Sequence, residues 1–107
     1  MQKKSIAALA LSLTAIGCTS TMQVASVSEA FKKYDQQEYA ATLKLINQAE
    51  SAGELSDEQA ARLTYLKALA YEGLGDTSMA NTLFVYLSEQ HPDSQYAYLS
   101  ALRLSAE

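Results

Sequence analysis

Moved 38 places along itself, this 107-residue chain meets its own pattern. Tyr39, Thr42, Ile46 and Ala49 fall on Thr77, Ala80, Phe84 and Leu87, and Phe31 and Tyr34 fall on Leu69 and Glu72. The polar break Asp35–Gln37 falls on Gly73–Gly75. Each matched stripe steps by threes and fours, one face of an α-helix, and each break separates two such stripes. Helix pairs repeated at a fixed period imply a stacked architecture, because one pair cannot bury its apolar face alone and its neighbours must cover it.

Local signals divide the stripes into helices. Ser26 with Glu29 reads as a capping box, in which hydroxyl and carboxylate satisfy each other's backbone N–H groups, ahead of Val27, Ala30, Phe31 and Tyr34. A second stripe, from Tyr39 to Ala49, runs out at Ser51-Ala52-Gly53, and Ser56 with Gln59 forms another box ahead of Leu63, Leu66, Leu69, Ala70 and Tyr71. After Gly73-Leu74-Gly75, Asp76 is placed to cap a helix bearing Ala80, Leu83, Phe84 and Leu87. Pro92 cannot continue that helix, and Asp93 or Ser94 opens a last one through Tyr96, Leu99, Leu102 and Arg103. No run alternates with period two. The expectation is an all-α, helix-turn-helix solenoid of about five helices over residues 26–107.

Within it, residues 61–92 resemble a tetratricopeptide repeat, with Ala68, Tyr71, Gly75, Ala80, Phe84 and Pro92 at that family's spacing. The residue types suit the packing: Ala68 and Ala80 are small where paired helices cross, Tyr71 and Phe84 fill the space between them, and Gly75-Asp76 turns the chain. The departures are Thr64, where the family often has tryptophan, the larger Thr42 in the first copy, and a first copy (23–56) about four residues long for the family. The stretch from Gly75 to Ala97, with His91-Pro92-Asp93-Ser94-Gln95-Tyr96-Ala97 at its end, is similar to repeats of the β-barrel assembly lipoprotein and Tol–Pal coordinator type.

The N-terminus carries a different signal. Lys3 and Lys4 precede an apolar run from Ile6 to Ile16, which is too short for the about 20 residues that span a bilayer but fits the core of a secretory signal. Ala15-Ile16-Gly17 then leads into Cys18, the only cysteine. This resembles the lipobox of bacterial lipoproteins, with Ala15 where Leu is usual. The resemblance implies a signal peptide over 1–17, acylation of Cys18, and a lipidated tether over 18–25. Thr19 rather than Asp after the cysteine implies, by the sorting rules of such lipoproteins, the outer membrane with the body facing the periplasm. Two or more acyl chains hold where one is marginal. Cleavage also removes two lysines, taking the formal charge from −4 to −6.

That acidity argues against nucleic acid as partner, since binding phosphates needs a basic excess. One His and one Cys cannot assemble a four-ligand zinc site, and no glycine-rich phosphate loop or Gly-x-Ser-x-Gly elbow is present. His91, before Pro92, reads as a helix-end residue rather than a base. Asp57 and Glu58 fall in a helix's first turn, where acids are stabilised by the dipole. No catalytic residue, cofactor or metal is expected, and so no enzyme.

The tetratricopeptide resemblance instead implies a partner-binding groove. Arg62, Tyr65, Leu69 and Glu72 share one face of the repeat's first helix, with Tyr96, Leu99 and Arg103 on the last helix and Val24, Val27, Phe31 and Tyr34 on the helix before. Aromatic residues and arginine are the types enriched at binding hot spots. The expected partner is an envelope protein or peptide, with the membrane held through Cys18. The alternative is a self-associating subunit whose partner is another copy, because fewer than three repeats seldom bury a full core.

Overall fold

The computed structural model describes residues 22–106. The expected leader over 1–17, Cys18 and residues 19–21 of the expected tether lie outside the described residues. Five helices are described: α1 over 22–35, α2 Tyr39–Ser51, α3 Asp57–Gly73, α4 Thr77–Gln90 and α5 Gln95–Ser105. No strand occurs among the described residues. The fold is an all-α helix-turn-helix arrangement.

Caps set the helix starts. Ser56 accepts from the N–H of Gln59, whose side chain accepts from the Ser56 N–H, the reciprocal box read from the sequence. Asp76 accepts from the N–H of Met79, and Ser94 rather than Asp93 caps α5 by accepting from Tyr96. Ser26 differs. It stands inside α1 and is 7% exposed, and α1 takes in Met22 to Ala25, which the sequence assigns to the tether. A tertiary tie accounts for the extra turn: the Gln23 side-chain amide donates to the carbonyls of Ala49 (3.1 Å) and Gly53 (3.2 Å) at the end of α2. Glu29, freed of capping, faces Lys32.

The 38-residue period reappears in the turns, bond for bond. After α1, Gln37 N–H donates to Tyr34 O and Glu38 N–H to Lys33 O; after α3, Gly75 N–H donates to Glu72 O and Asp76 N–H to Tyr71 O. Both turns are Schellman motifs, which satisfy the last carbonyls of a helix and need one left-handed residue. That residue is Gly75 at φ +83° in the second turn and Gln37 at φ +62° in the first. A side chain in this region is strained and glycine is not. Gln37→Gly is therefore expected to stabilise the fold by about 0.5–1 kcal/mol, against the usual sign for an added glycine. A chemical-denaturation midpoint for the variant at or below wild type would remove this account.

The core follows the same period. Ala30, Ile46 and Ala49 pack with Leu63 and Leu66, so α3 lays one face on the α1–α2 pair. Ala68, Ala80 and Phe84 form the next cluster, with Tyr71 and Leu83 against it, and α5 reaches it through Leu104. Thr42, at the place of Ala80, is fully buried, and its hydroxyl is satisfied by donating to Glu38 O. Gly73 has a second role besides preceding the turn. A Cβ there would run into the Tyr39 ring, so the missing side chain lets the start of α2 close onto the end of α3.

Candidate functional site

Helix α3 lies centrally, and its residues Arg62, Tyr65, Leu69 and Glu72 connect outward to α1 and α5. At one end, the Arg62 guanidinium lies 4.3 Å from the centroid of Phe31 on α1, a cation held over an aromatic face. Next, Tyr65 stands 5.9 Å from Phe84 and 5.6 Å from Tyr96 on α5, ring centroid to centroid. Leu69 packs half-buried against the Ala68–Ala80–Phe84 cluster. Glu72 closes the row with an ion pair to Arg103 of α5. Tyr34, at the end of α1, sits edge-on to Tyr39 at 5.6 Å and within electrostatic reach of Glu72, Arg103 and Tyr65. The seven sequence-predicted groove residues thus occupy α3 and α5. Six have a contact to another helix or to the second core cluster; Leu99 is half-buried on α5 between Tyr96 and Arg103.

Burial and neighbouring charge act on two phenols and one guanidinium of this row. Burial, the largest cause, raises the Tyr34 hydroxyl above its ordinary range, with the neighbouring Tyr39 adding to it. Burial likewise raises Tyr65, against the opposing pull of Arg103. Both phenols remain neutral donors at physiological pH. Arg103 is raised chiefly by its hydrogen bond to Glu72, so the cation is held in place rather than free.

Two partnerships go beyond the sequence reading. Glu72 and Arg103, both read from the sequence as groove residues, form an ion pair with each other. Their opposite charges on the two helices were the available signal. Tyr39 joins the row through Tyr34, and the one hint was Gly73 at the end of α3. His91 is the C-cap of α4, its ring edge-on to Tyr86 at 6.1 Å, and Asp57 and Glu58 lie in the first turn of α3.

A hollow of about 450 Å³ opens where α1 meets α3, floored by Val24, Val27, Phe31 and Leu55, with Gln59 and Arg62 at its edge. Its volume falls within the range of small-ligand and peptide side-chain sites. Gln23 and Gln59 already spend their amides on backbone groups, which leaves Arg62 as the cation on that edge, with no ion pair among the described residues. Among the described residues no group of three or more His, Cys, Asp or Glu is placed to hold a metal ion, and no helix is long and apolar enough to cross a membrane. Comparison with protein-family models, with curated proteins and with solved structures gives no match.

Proposed function

We propose that this chain is an outer-membrane lipoprotein, acylated at Cys18 and facing the periplasm, whose tetratricopeptide-like body works as a protein–protein interaction adaptor. The observation that carries the adaptor reading is the continuous row Phe31–Arg62, Tyr65–Tyr96 and Glu72–Arg103 across α1, α3 and α5. Its tyrosines and arginines are hot-spot types, partly or fully exposed and already ordered by their neighbours. Ordering before binding reduces the side-chain entropy a complex must lose, about 0.5–1.5 kcal/mol per immobilised side chain. The partner is an envelope protein or peptide whose apolar side chains lie along the tyrosines and whose acidic group reaches Arg62. Barrel assembly, secretin or pilus assembly, and cell-wall coordination are the settings in which such an adaptor would serve. No catalytic step is assigned.

The test is paired. Arg62→Ala and Tyr65→Ala are followed by helicity and melting, and by recovery of envelope proteins with the tagged, acylated chain from detergent extracts. Truncating a hot spot costs about 2 kcal/mol or more, so affinity should fall roughly thirtyfold. Arg62 is exposed, and its variant should melt as wild type does. Tyr65 also touches Phe84 and should lose some stability. Wild-type partner recovery by both variants would end the assignment of this face.

A further inference from the structure

Helices α1, α3 and α5 hold equivalent places in the row. The match from α1 to α3 is 38 residues and from α3 to α5 is 34, which sets Leu63 and Leu66 over Ala97 and Ser100, all four buried. On α1 and α3 a second flank is covered by the helix that follows. The flank residues are Ser26 and Ala30 on α1, 7% and 0% exposed, and Thr64 and Ala68 on α3, 9% and 0% exposed; Ala30 packs with Ile46 and Ala49 of α2, and Ala68 with Ala80 and Phe84 of α4. The same two positions on α5 are Tyr98 and Leu102, exposed at 67% and 49%.

We propose that this flank of α5 pairs with α5 of a second copy, antiparallel, about a two-fold axis. Three features select that occupant. First, α2 and α4 pack on the alanines of this flank, whereas Tyr98 and Leu102 on α5 fill that space and demand a wider helix spacing. An antiparallel pair centred between the two residues sets Tyr98 level with Leu102 of the second copy, and each large contact is then made twice. Second, the flank is uncharged: Gln95, Tyr98, Ala101, Leu102 and Ser105 line it, and the single charge of α5, Arg103, is engaged by Glu72. Two copies of an acidic chain, at formal charge −4, can meet on such a patch without opposing like charges, while a charged partner would find no counter-ion there. Third, α5 has 11 residues and so is about 16 Å long. With so short a contact the dimer is expected to be reversible, as small interfaces are.

The experiment measures the mass of the full-length chain by sedimentation in excess mild detergent, over a wide concentration range. Wild type should pass from one copy to two as concentration rises. Tyr98→Glu and Leu102→Glu each bring two like charges into the pairing face, and should remain single at every concentration while melting as wild type does. A wild-type mass of one copy throughout overturns the proposal, and so does a two-copy mass that survives both substitutions. If the chain stays single and Tyr98→Glu instead loses envelope partners that Arg62→Ala keeps, the flank receives a helix of another protein and the second copy is excluded. Loss of partners by Arg62→Ala alone bears on the adaptor face and leaves the dimer to be judged by mass.

Discussion

Phe84→Ala should abolish a well-defined cooperative melt, or lower its midpoint by at least about 12 °C, in the body comprising residues 19–107. Phe84 is the largest of the fully buried side chains, and it packs on Ala68 and Ala80 with its ring against Tyr65. Truncating such a phenylalanine costs about 3–5 kcal/mol, the sum of lost transfer energy and an unfilled cavity. The neighbours cannot collapse into the gap, since two are alanines held at a helix crossing. A body of 85 described residues has about 4–13 kcal/mol of stability in all. Each kcal/mol moves the midpoint of a domain this small by about 4–8 °C. The damage should also spread: α4 is packed on α3 on one side and α5 on the other, and a repeat array is held by neighbour interfaces. The adjacent Val85 is exposed, and Val85→Ala should stay within about 0.5 kcal/mol of wild type. A Phe84→Ala melt within a few degrees of wild type would mean that the α3–α4 crossing does not lie where the period puts it.

What could be read in advance divides by the range of the interaction. Ser56 with Gln59, Asp76 and Ser94 act over two or three residues, and their caps follow from the local sequence. The core stripes follow from periodicity, since Ala80, Phe84 and Leu87 match Thr42, Ile46 and Ala49 in burial as well as in spacing. Ser26 escaped because the cap signal there is outweighed by Gln23 reaching 26 residues along the chain to Ala49, a bond no local pattern contains. Gln37 escaped for a related reason. Its left-handed backbone is imposed by the fold, whereas at the matching position the residue itself, Gly75, announces the turn. The candidate site was legible as a face but not as a set of pairs. Helical spacing puts Arg62, Tyr65, Leu69 and Glu72 together, yet whether Glu72 meets solvent, a partner or Arg103 depends on the angle at which α5 returns.

Cys18→Ala should eliminate fatty-acid labelling of the chain and leave the precursor uncleaved, the largest change expected of any single substitution here. The chemistry is all or nothing, because the Cys18 sulfur is the sole thiol available for acylation. Lys3 and Lys4, the short apolar run to Ile16, and Ala15-Ile16-Gly17 stand in register ahead of it. Each property alone is common, and the proposed lipoprotein address rests on their combination: a positive start, a core too short to span a bilayer and a small residue directly before the one cysteine. The energetics explain why that address matters for an acidic body. With the formal charge of −6 that cleavage would leave, the helical domain would gain nothing from an anionic membrane surface, and under the proposed function its attachment would come from acyl chains at about 0.8 kcal/mol per buried CH₂. The same repulsion would hold the α1–α3–α5 row away from the lipid and open to a partner. Metabolic labelling with a fatty acid, together with fractionation of inner and outer membranes, decides the matter. A Cys18→Ala chain that is still processed and still retained in the outer membrane would leave an ordinary secretory leader as the better account, and the adaptor would then need another anchor.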